Sequence, residues 1–143
     1  MIRAAIVTAP IDIDSVTREV ASRSSGATAI FIGTVREHNK GREVSGIEYS
    51  AYDEMAVKEI TAILAEASEK FALENAVAIH RIGELAIGDA SIAVAVAHAH
   101  RGNAIDAMRY IVEETKRRAP IWKLEHYLDG TREWVNAGTD TPR

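Results

Sequence analysis

Between His98 and Glu125 the sequence gathers His98-Ala99-His100-Arg101, a helical stretch ending in Lys116-Arg117-Arg118, and Pro120-Ile121-Trp122-Lys123-Leu124-Glu125. Positive side chains at this density suit an anion, and a lysine beside an apolar wall can also give up or take a proton. The cluster is local. The chain of 143 residues holds 17 Lys plus Arg against 21 Asp plus Glu, a formal net charge of -4, so composition does not put it there.

Each member has an ordinary reading beside the functional one. Lys116 continues the stripe Ile105, Met108, Val112, so its stem should run along packed surface while its ammonium reaches whatever lies at that helix end. A helix-end lysine that favours the dipole and exposes its head looks the same. Lys123 lies at the opposite strand parity from Trp122, Leu124 and Leu128; if that apolar set faces the core, Lys123 faces solvent or a cleft. His100 and Arg101 precede a helix opened by Asn103, where backbone N–H groups and a forked guanidinium suit phosphate or carboxylate, and where surface ion pairing is the plain alternative. Arg36 ends a strand beside a glycine-containing loop, a common place for binding residues. Phe31 and Met55 could floor a flat apolar pocket, although core packing is the commoner use of such residues.

Several classes fall away on residue types. With no cysteine, the chain has no disulfide, no thiolate metal site and no sulfur nucleophile of its own. His98-x-His100 puts two imidazoles on one strand face, with His80 or His126 as a conceivable third ligand. No carboxylate or further histidine has ligand spacing, so no metal is expected. No apolar window reaches the length of a membrane span, and an acidic chain does not fit a nucleic-acid binder. A soluble, cytoplasmic protein without a resident cofactor is expected.

The elements that must hold these residues follow from periodicity and punctuation. Strands are predicted over Ile2–Val7, Gly26–Val35, Val44–Tyr52, Ala76–Arg81, Ser91–Ala99, Ile121–Leu128 and Glu133–Val135. Helices are predicted after Asp14 or Ser15, from Asp53 to Phe71, and from Asn103 to Pro120, with Asp106 completing a capping box. Gly33 marks a bulge or close approach, Asn39–Gly41 and Asp129–Gly130 mark turns, and Gly83–Asp89 reads as a turn-rich connection. In Ser91–Ala99 the residues Ile92, Val94, Val96 and His98 share one face and alanines the other, so both faces should be covered. Residues 1–143 read as one domain with a loose tail from Asn136. The order suggests an α+β sandwich, helices on a mostly antiparallel sheet, with a ferredoxin-like core and an added hairpin subdomain.

Taken together, the segments resemble the large, catalytic subunit of molybdopterin synthase, the MoaE family. The resemblance rests on Phe31-x-Gly33-x-Val35-Arg36, Glu48-Tyr49-x-Ala51-Tyr52 with Met55-Ala56, and His80-Arg81-Ile82-Gly83-Glu84-Leu85 with Gly88-Asp89. It continues through His100-Arg101, Lys116, Pro120-Ile121-Trp122-Lys123-x-Glu125 and Gly130 with Trp134-Val135, in order from Gly26 to Val135. The chain departs from the family's pattern at Ile105, where an aromatic is frequent, and at Leu124, where a basic residue is frequent.

The resemblance implies an α/β hammerhead fold and a sulfur transferase that converts cyclic pyranopterin monophosphate into molybdopterin. It also implies a small ubiquitin-like partner whose C-terminal Gly-Gly thiocarboxylate supplies two dithiolene sulfurs, and a homodimer of large subunits within a heterotetramer. Lys116 and Lys123 correspond to the family's catalytic lysines, Lys116 toward the tail carbonyl and Lys123 toward proton transfer. Arg36, His100 and Arg101 would hold the phosphate, with Phe31 and Met108 shaping the pocket. A non-catalytic docking module for a ubiquitin-like tail is the alternative.

Overall fold

Every side chain from Ser91 to His98 is buried, and strict alternation explains how one strand achieves it. Ile92, Val94 and Val96 join one apolar cluster with two helices, whereas Ala95 and Ala97 join a second cluster with Val16 and Val20 of a third helix. Small residues on the second face let that helix approach closely.

The computed structural model describes residues 1–136. In chain order they form β1 (Ile2–Val7), α1 (Ile13–Val20), β2 (Ala27–Thr34), β3 (His38–Asn39), β4 (Arg42–Ala51) and α2 (Asp53–Phe71). There follow β5 (Asn75–Arg81), β6 (Gly83–Ala86), β7 (Ala90–His98), α3 (Arg101–Arg118), β8 (Ile121–Tyr127) and β9 (Arg132–Asn136). One sheet runs β1-β5-β7-β2, with β1 parallel to β5 and the other pairs antiparallel. Helices α2 and α3 cover one of its faces and α1 the other. The second sheet runs β3-β4-β8-β9, with β6 also paired to β4, and is antiparallel throughout. The architecture is α+β, as expected from the sequence.

Local differences from the sequence reading have identifiable causes. Gly83–Asp89 holds a strand, because Gly46–Tyr49 of β4 pairs with β6 on one edge while β8 pairs on the other. Helix α1 starts earlier than expected: Asp12 caps it, its carboxylate accepting from the Ser15 N–H at 3.1 Å. Helix α2 begins with Tyr52 at the cap position and no side-chain cap, so Asp53 lies in the first turn, where its charge suits the dipole. Helix α3 begins at Arg101, not after Asn103; the Asn103 amide instead donates to the Phe71 carbonyl at 3.3 Å, and Asp106 forms no capping box. Its buried face is Ala104, Ala107, Ile111, Val112 and Thr115, which leaves Ile105 47% exposed at the start of the expected stripe. Ala104 and Ala107 take the buried positions of the first turns, and Ile105 falls beside that face. The expected tail falls largely on residues 137–143, outside the described residues.

Arg118 fastens α3 to α2, its guanidinium reaching Glu59 at 2.8 Å, Glu66 at 2.7 Å and Glu114 at 3.2 Å. Hydrogen bonds from Arg118 and then Tyr110 hold the Glu66 carboxyl down at about 2. Among the described residues no helix is long and apolar enough to cross a membrane.

The alanine face of β7 sets a volume limit that can be checked directly. Ala95→Leu pushes a larger side chain against Val16 and Val20 of α1 and should lower stability by about 1–3 kcal/mol. Chemical denaturation measures the loss, and a wild-type midpoint would show that α1 does not pack tightly on β7.

Candidate active site

A cavity of about 420 Å³ opens where the two sheets and the C-terminal end of α3 meet. The first sheet contributes Phe31 from β2, His80 from β5 and Ser91 from β7; α3 contributes Thr115 and Lys116; the second sheet contributes Tyr49, Lys123 and Glu125. Arg36 and Asn39, on either side of the start of β3, also line it. The charges at its wall are therefore three cations, Arg36, Lys116 and Lys123, and one carboxylate, Glu125.

Lys123 reaches the cavity for a reason opposite to the one the sequence suggested. On β8 the buried positions are Ile121, Glu125 and Tyr127, the parity of Lys123, while Trp122 turns to the other face and meets Tyr52 edge-on at 5.0 Å. The apolar set Trp122, Leu124 and Leu128 is thus the outer set, and Leu128 is 64% exposed. Pairing across β4 places Tyr49 opposite Lys123 and Ile47 opposite Glu125, on the inward face.

Lys116 follows Met108 and Val112 along α3, and its ammonium stands 5.9 Å from the centre of the Phe31 ring, within cation–π range. Its neighbours in the basic triplet are committed elsewhere, Arg117 to Glu114 and Arg118 to three carboxylates. Phe31 stands on β2 two residues before Gly33, where the ladder to β7 shifts register. A Cβ at Gly33 would lie 2.7 Å from Ile92 Cγ2 and 3.4 Å from the Phe31 ring, so the expected close approach is real.

Glu125 is 2% exposed, and a buried carboxylate must be hydrogen-bonded and paired to be tolerated. Its Oε1 accepts from Asn39 Nδ2 at 2.7 Å and from the Tyr127 hydroxyl at 2.8 Å, and its Oε2 faces Lys123 Nζ at 3.6 Å. Burial, and then the bond to Glu125, pushes the Tyr127 phenol up to about 12.

His80 is buried against Tyr49, ring centres 4.9 Å apart in an edge contact, with Nδ1 2.8 Å from the Arg81 carbonyl. That carbonyl can only accept, so Nδ1 carries the proton and Nε2 is the acceptor. Burial, with the Lys116 charge adding to it, lowers the imidazole to about 4 although the Arg81 carbonyl opposes the shift. His80 is a neutral polar group at neutral pH. Burial likewise raises the Tyr49 phenol, against a hydrogen bond with Ser91.

Not every expected residue is brought to this cavity. His100 and Arg101 are exposed at the opposite end of α3, 15 residues from Lys116 for Arg101, or about 22 Å along the axis. His98 shapes that end: its Nδ1 accepts from the His100 N–H at 2.8 Å, which holds the chain extended before the helix. Met108 is half-buried against the main core cluster. Conversely Tyr49, Asn39 and Glu125 line the cavity without having been singled out for a role, and His80, weighed only as a conceivable metal ligand, lines it too; the pairing of Lys123 and Glu125 at positions i and i+2 of one strand was the available signal. Among the described residues no group of three His, Asp or Glu comes together to hold a metal.

The sequence matches the family model described as MoaE protein over residues 6–118. The chain belongs to the MoaE family. It is 43% identical over 123 residues to the molybdopterin synthase catalytic subunit of Pyrococcus abyssi, covering 86% of this chain and 82% of that one. The crystal structure of molybdopterin synthase from Staphylococcus aureus superposes with a TM-score of 0.87 at 36% identity, over 92% of this chain and 95% of that one. A complex of subunits 1 and 2 of the molybdopterin-converting factor from Helicobacter pylori shares the fold, with a TM-score of 0.76 at 20% identity over 92% and 89% of the two chains. Family membership makes the chain an enzyme of molybdenum-cofactor biosynthesis, and the cavity is its candidate active site.

The titration of His80 has a consequence for stability. In the unfolded chain its imidazole takes a proton near 6.5, in the folded protein only near 4. Between those values the unfolded state binds the extra proton, so stability falls as pH drops through the window, by about 3 kcal/mol in all, and this contribution is constant above it. His80→Gln should flatten that segment of the pH–stability curve relative to wild type. Parallel curves for the two proteins, measured by denaturant unfolding, would mean that His80 is charged in the folded state.

Proposed function

We propose that this chain is the catalytic half of a cytoplasmic molybdopterin synthase. It converts cyclic pyranopterin monophosphate into molybdopterin with sulfur from the C-terminal Gly-Gly thiocarboxylate of a small ubiquitin-like partner. The observation that supports this reading most is the meeting of Lys116 and Lys123 at one cavity wall, although they come from a helix end and a strand of the other sheet. The chain has no cysteine, so the sulfur must come from elsewhere.

In this reading Lys116 polarises the tail's terminal carbonyl and the reacting carbon, and Lys123 moves the proton or polarises the pterin side. Preorganised ammonium groups in a half-enclosed site stabilise developing negative charge far better than the same groups in water. Phe31 forms the apolar wall under Lys116, and Met108 helps seat α3. Three cations against one carboxylate suit a ligand that brings a phosphate and a tail carboxylate.

Arg36 lies at the cavity and can meet the phosphate directly. His100 and Arg101, about 22 Å along α3 from Lys116, cannot serve the same cavity from the same chain. We assign them to the cavity of a second copy, in the homodimer that the family resemblance implies. The neighbouring Gly102 and the start of α3 give that end backbone N–H donors as well.

Two experiments test the reading. With the thiocarboxylated partner and cyclic pyranopterin monophosphate, Lys116→Ala and Lys123→Ala should each lower turnover by about 100-fold or more while the partner's tail still binds. Unchanged turnover removes the catalytic assignment, and wild type that binds the tail but makes no dithiolene product leaves the docking-module alternative. In the second, Lys116→Ala chains are mixed with Arg101→Ala chains. Each mixed dimer then holds one intact cavity, so random pairing should restore about a quarter of wild-type activity. No recovery on subunit exchange would end the assignment of Arg101 to a neighbour's cavity.

A further inference from the structure

The two oxygens of the buried Glu125 carboxylate have different work. Oε1 is taken by Asn39 Nδ2 at 2.7 Å and the Tyr127 hydroxyl at 2.8 Å, so only Oε2 faces Lys123, at 3.6 Å. The other end of the Asn39 amide, Oδ1, accepts a long hydrogen bond from Arg36 Nη2 at 3.5 Å. One neutral side chain therefore touches both the partner of Lys123 and the arginine of the same cavity. Building on the proposed function, we propose that Asn39 is a positioning residue that sets, through Glu125, where the Lys123 ammonium stands.

Asparagine suits this place because its amide donates at one end and accepts at the other. Aspartate would set two carboxylates against each other and pull Arg36 inward, whereas an apolar residue would leave Glu125 one donor short. The backbone delivers Asn39 by a tight turn: β3 pairs Asn39 with Arg42 of β4, and the two residues between, Lys40 and Gly41, have φ of 51° and 79°. Both central residues in the left-handed region match the twist of a two-residue hairpin.

Holding the hairpin in place does not depend on Asn39. Arg42 lies over the Tyr127 ring, 3.5 Å from its centre, pairs with Asp129 at 3.4 Å and Glu133 at 3.2 Å, and donates to Thr131 at 2.6 Å. That set fastens the β3–β4 hairpin to β8 and β9. The Asn39 bond is thus free to act on the site, and its loss should be felt at Lys123 more than in folding.

Three variants separate positioning from fastening. In the complex with the thiocarboxylated small partner, Asn39→Ala should lower kcat by roughly 10- to 100-fold, as displaced catalytic groups commonly do, with a thermal midpoint close to wild type. Asn39→Asp should lose at least as much turnover. The exchange Asn39→Asp/Glu125→Gln rebuilds the hydrogen bond between the two positions but moves the carboxylate away from Lys123; it should recover the thermal midpoint and not turnover. A second readout needs neither partner nor substrate: competitive acetylation of the free chain, followed by mass spectrometry. Asn39→Ala should speed labelling of Lys123 several-fold while Lys58 and Lys70, on the outer face of α2, label as in wild type. Wild-type kcat in Asn39→Ala, turnover restored by the exchange, or unchanged labelling of Lys123 would each overturn the assignment. If wild type makes no product while Lys123 labelling still answers to Asn39, the proposed reaction fails and the positioning stands.

Discussion

A carboxylate at 2% exposure in the middle of a β-strand is the constraint around which the second sheet is organised. Removing such a charge from water costs several kcal/mol unless donors replace the water, and here the donors come from three places: the β3–β4 hairpin, Tyr127 on the same strand, and Lys123 two residues earlier. All three depend on register. A slip of one residue between β4 and β8 would turn Lys123 and Glu125 to the outer face together and carry Trp122 and Leu124 into the cavity. The paired lysine and glutamate therefore hold each other inside, and the hairpin must close over them for the arrangement to be tolerable.

Helix α3 imposes the complementary constraint from the other side. Ala104 and Ala107 let it lie close on the first sheet, and this fixes its rotation so that Thr115 is buried and Lys116 emerges at the cavity rim. The same straight element carries His100 and Arg101 to the far end. The basic stretch that dominates the sequence is therefore divided in space. Arg118 ties α3 to α2, Arg117 pairs with Glu114, Lys116 and Lys123 meet at one cavity, and the His100-Arg101 pair is presented elsewhere.

What was legible in the sequence follows from how local each signal is. Helices, strands and turns are encoded by neighbours, so the elements came out close to their observed bounds, and the alternation in β7 even announced a sheet covered on both sides. The small strand β6 was hidden because its length and glycine resemble a turn, and only its pairing to β4 makes it a strand. The condition that Trp122, Leu124 and Leu128 face the core does not hold, because the rule that apolar residues face inward fails where a strand lines a polar cavity: Trp122 is satisfied by Tyr52 outside, and Glu125 by donors inside. His80 reads in the sequence only as a conceivable metal ligand and Asn39 only as a turn residue. Their roles arise from contacts with Arg81, Tyr49 and Glu125, of which only the first is adjacent in sequence.

The neutrality of His80 matters to the electrostatics of the cavity as a whole. Three cations already face one carboxylate there, and a protonated imidazole would add a fourth positive charge close to Lys116. Burial prevents this by making the charged form costly, and the Arg81 carbonyl fixes the tautomer so that an acceptor is left on the ring. The wall next to Lys116 is consequently a set of neutral polar groups, His80, Tyr49, Ser91 and Thr115, while the charges are concentrated at Arg36, Lys116 and Lys123. A site built this way can attract an anion through the three cations without surrounding its neutral part with like charge. The surplus is small enough that one doubly charged ligand cancels it.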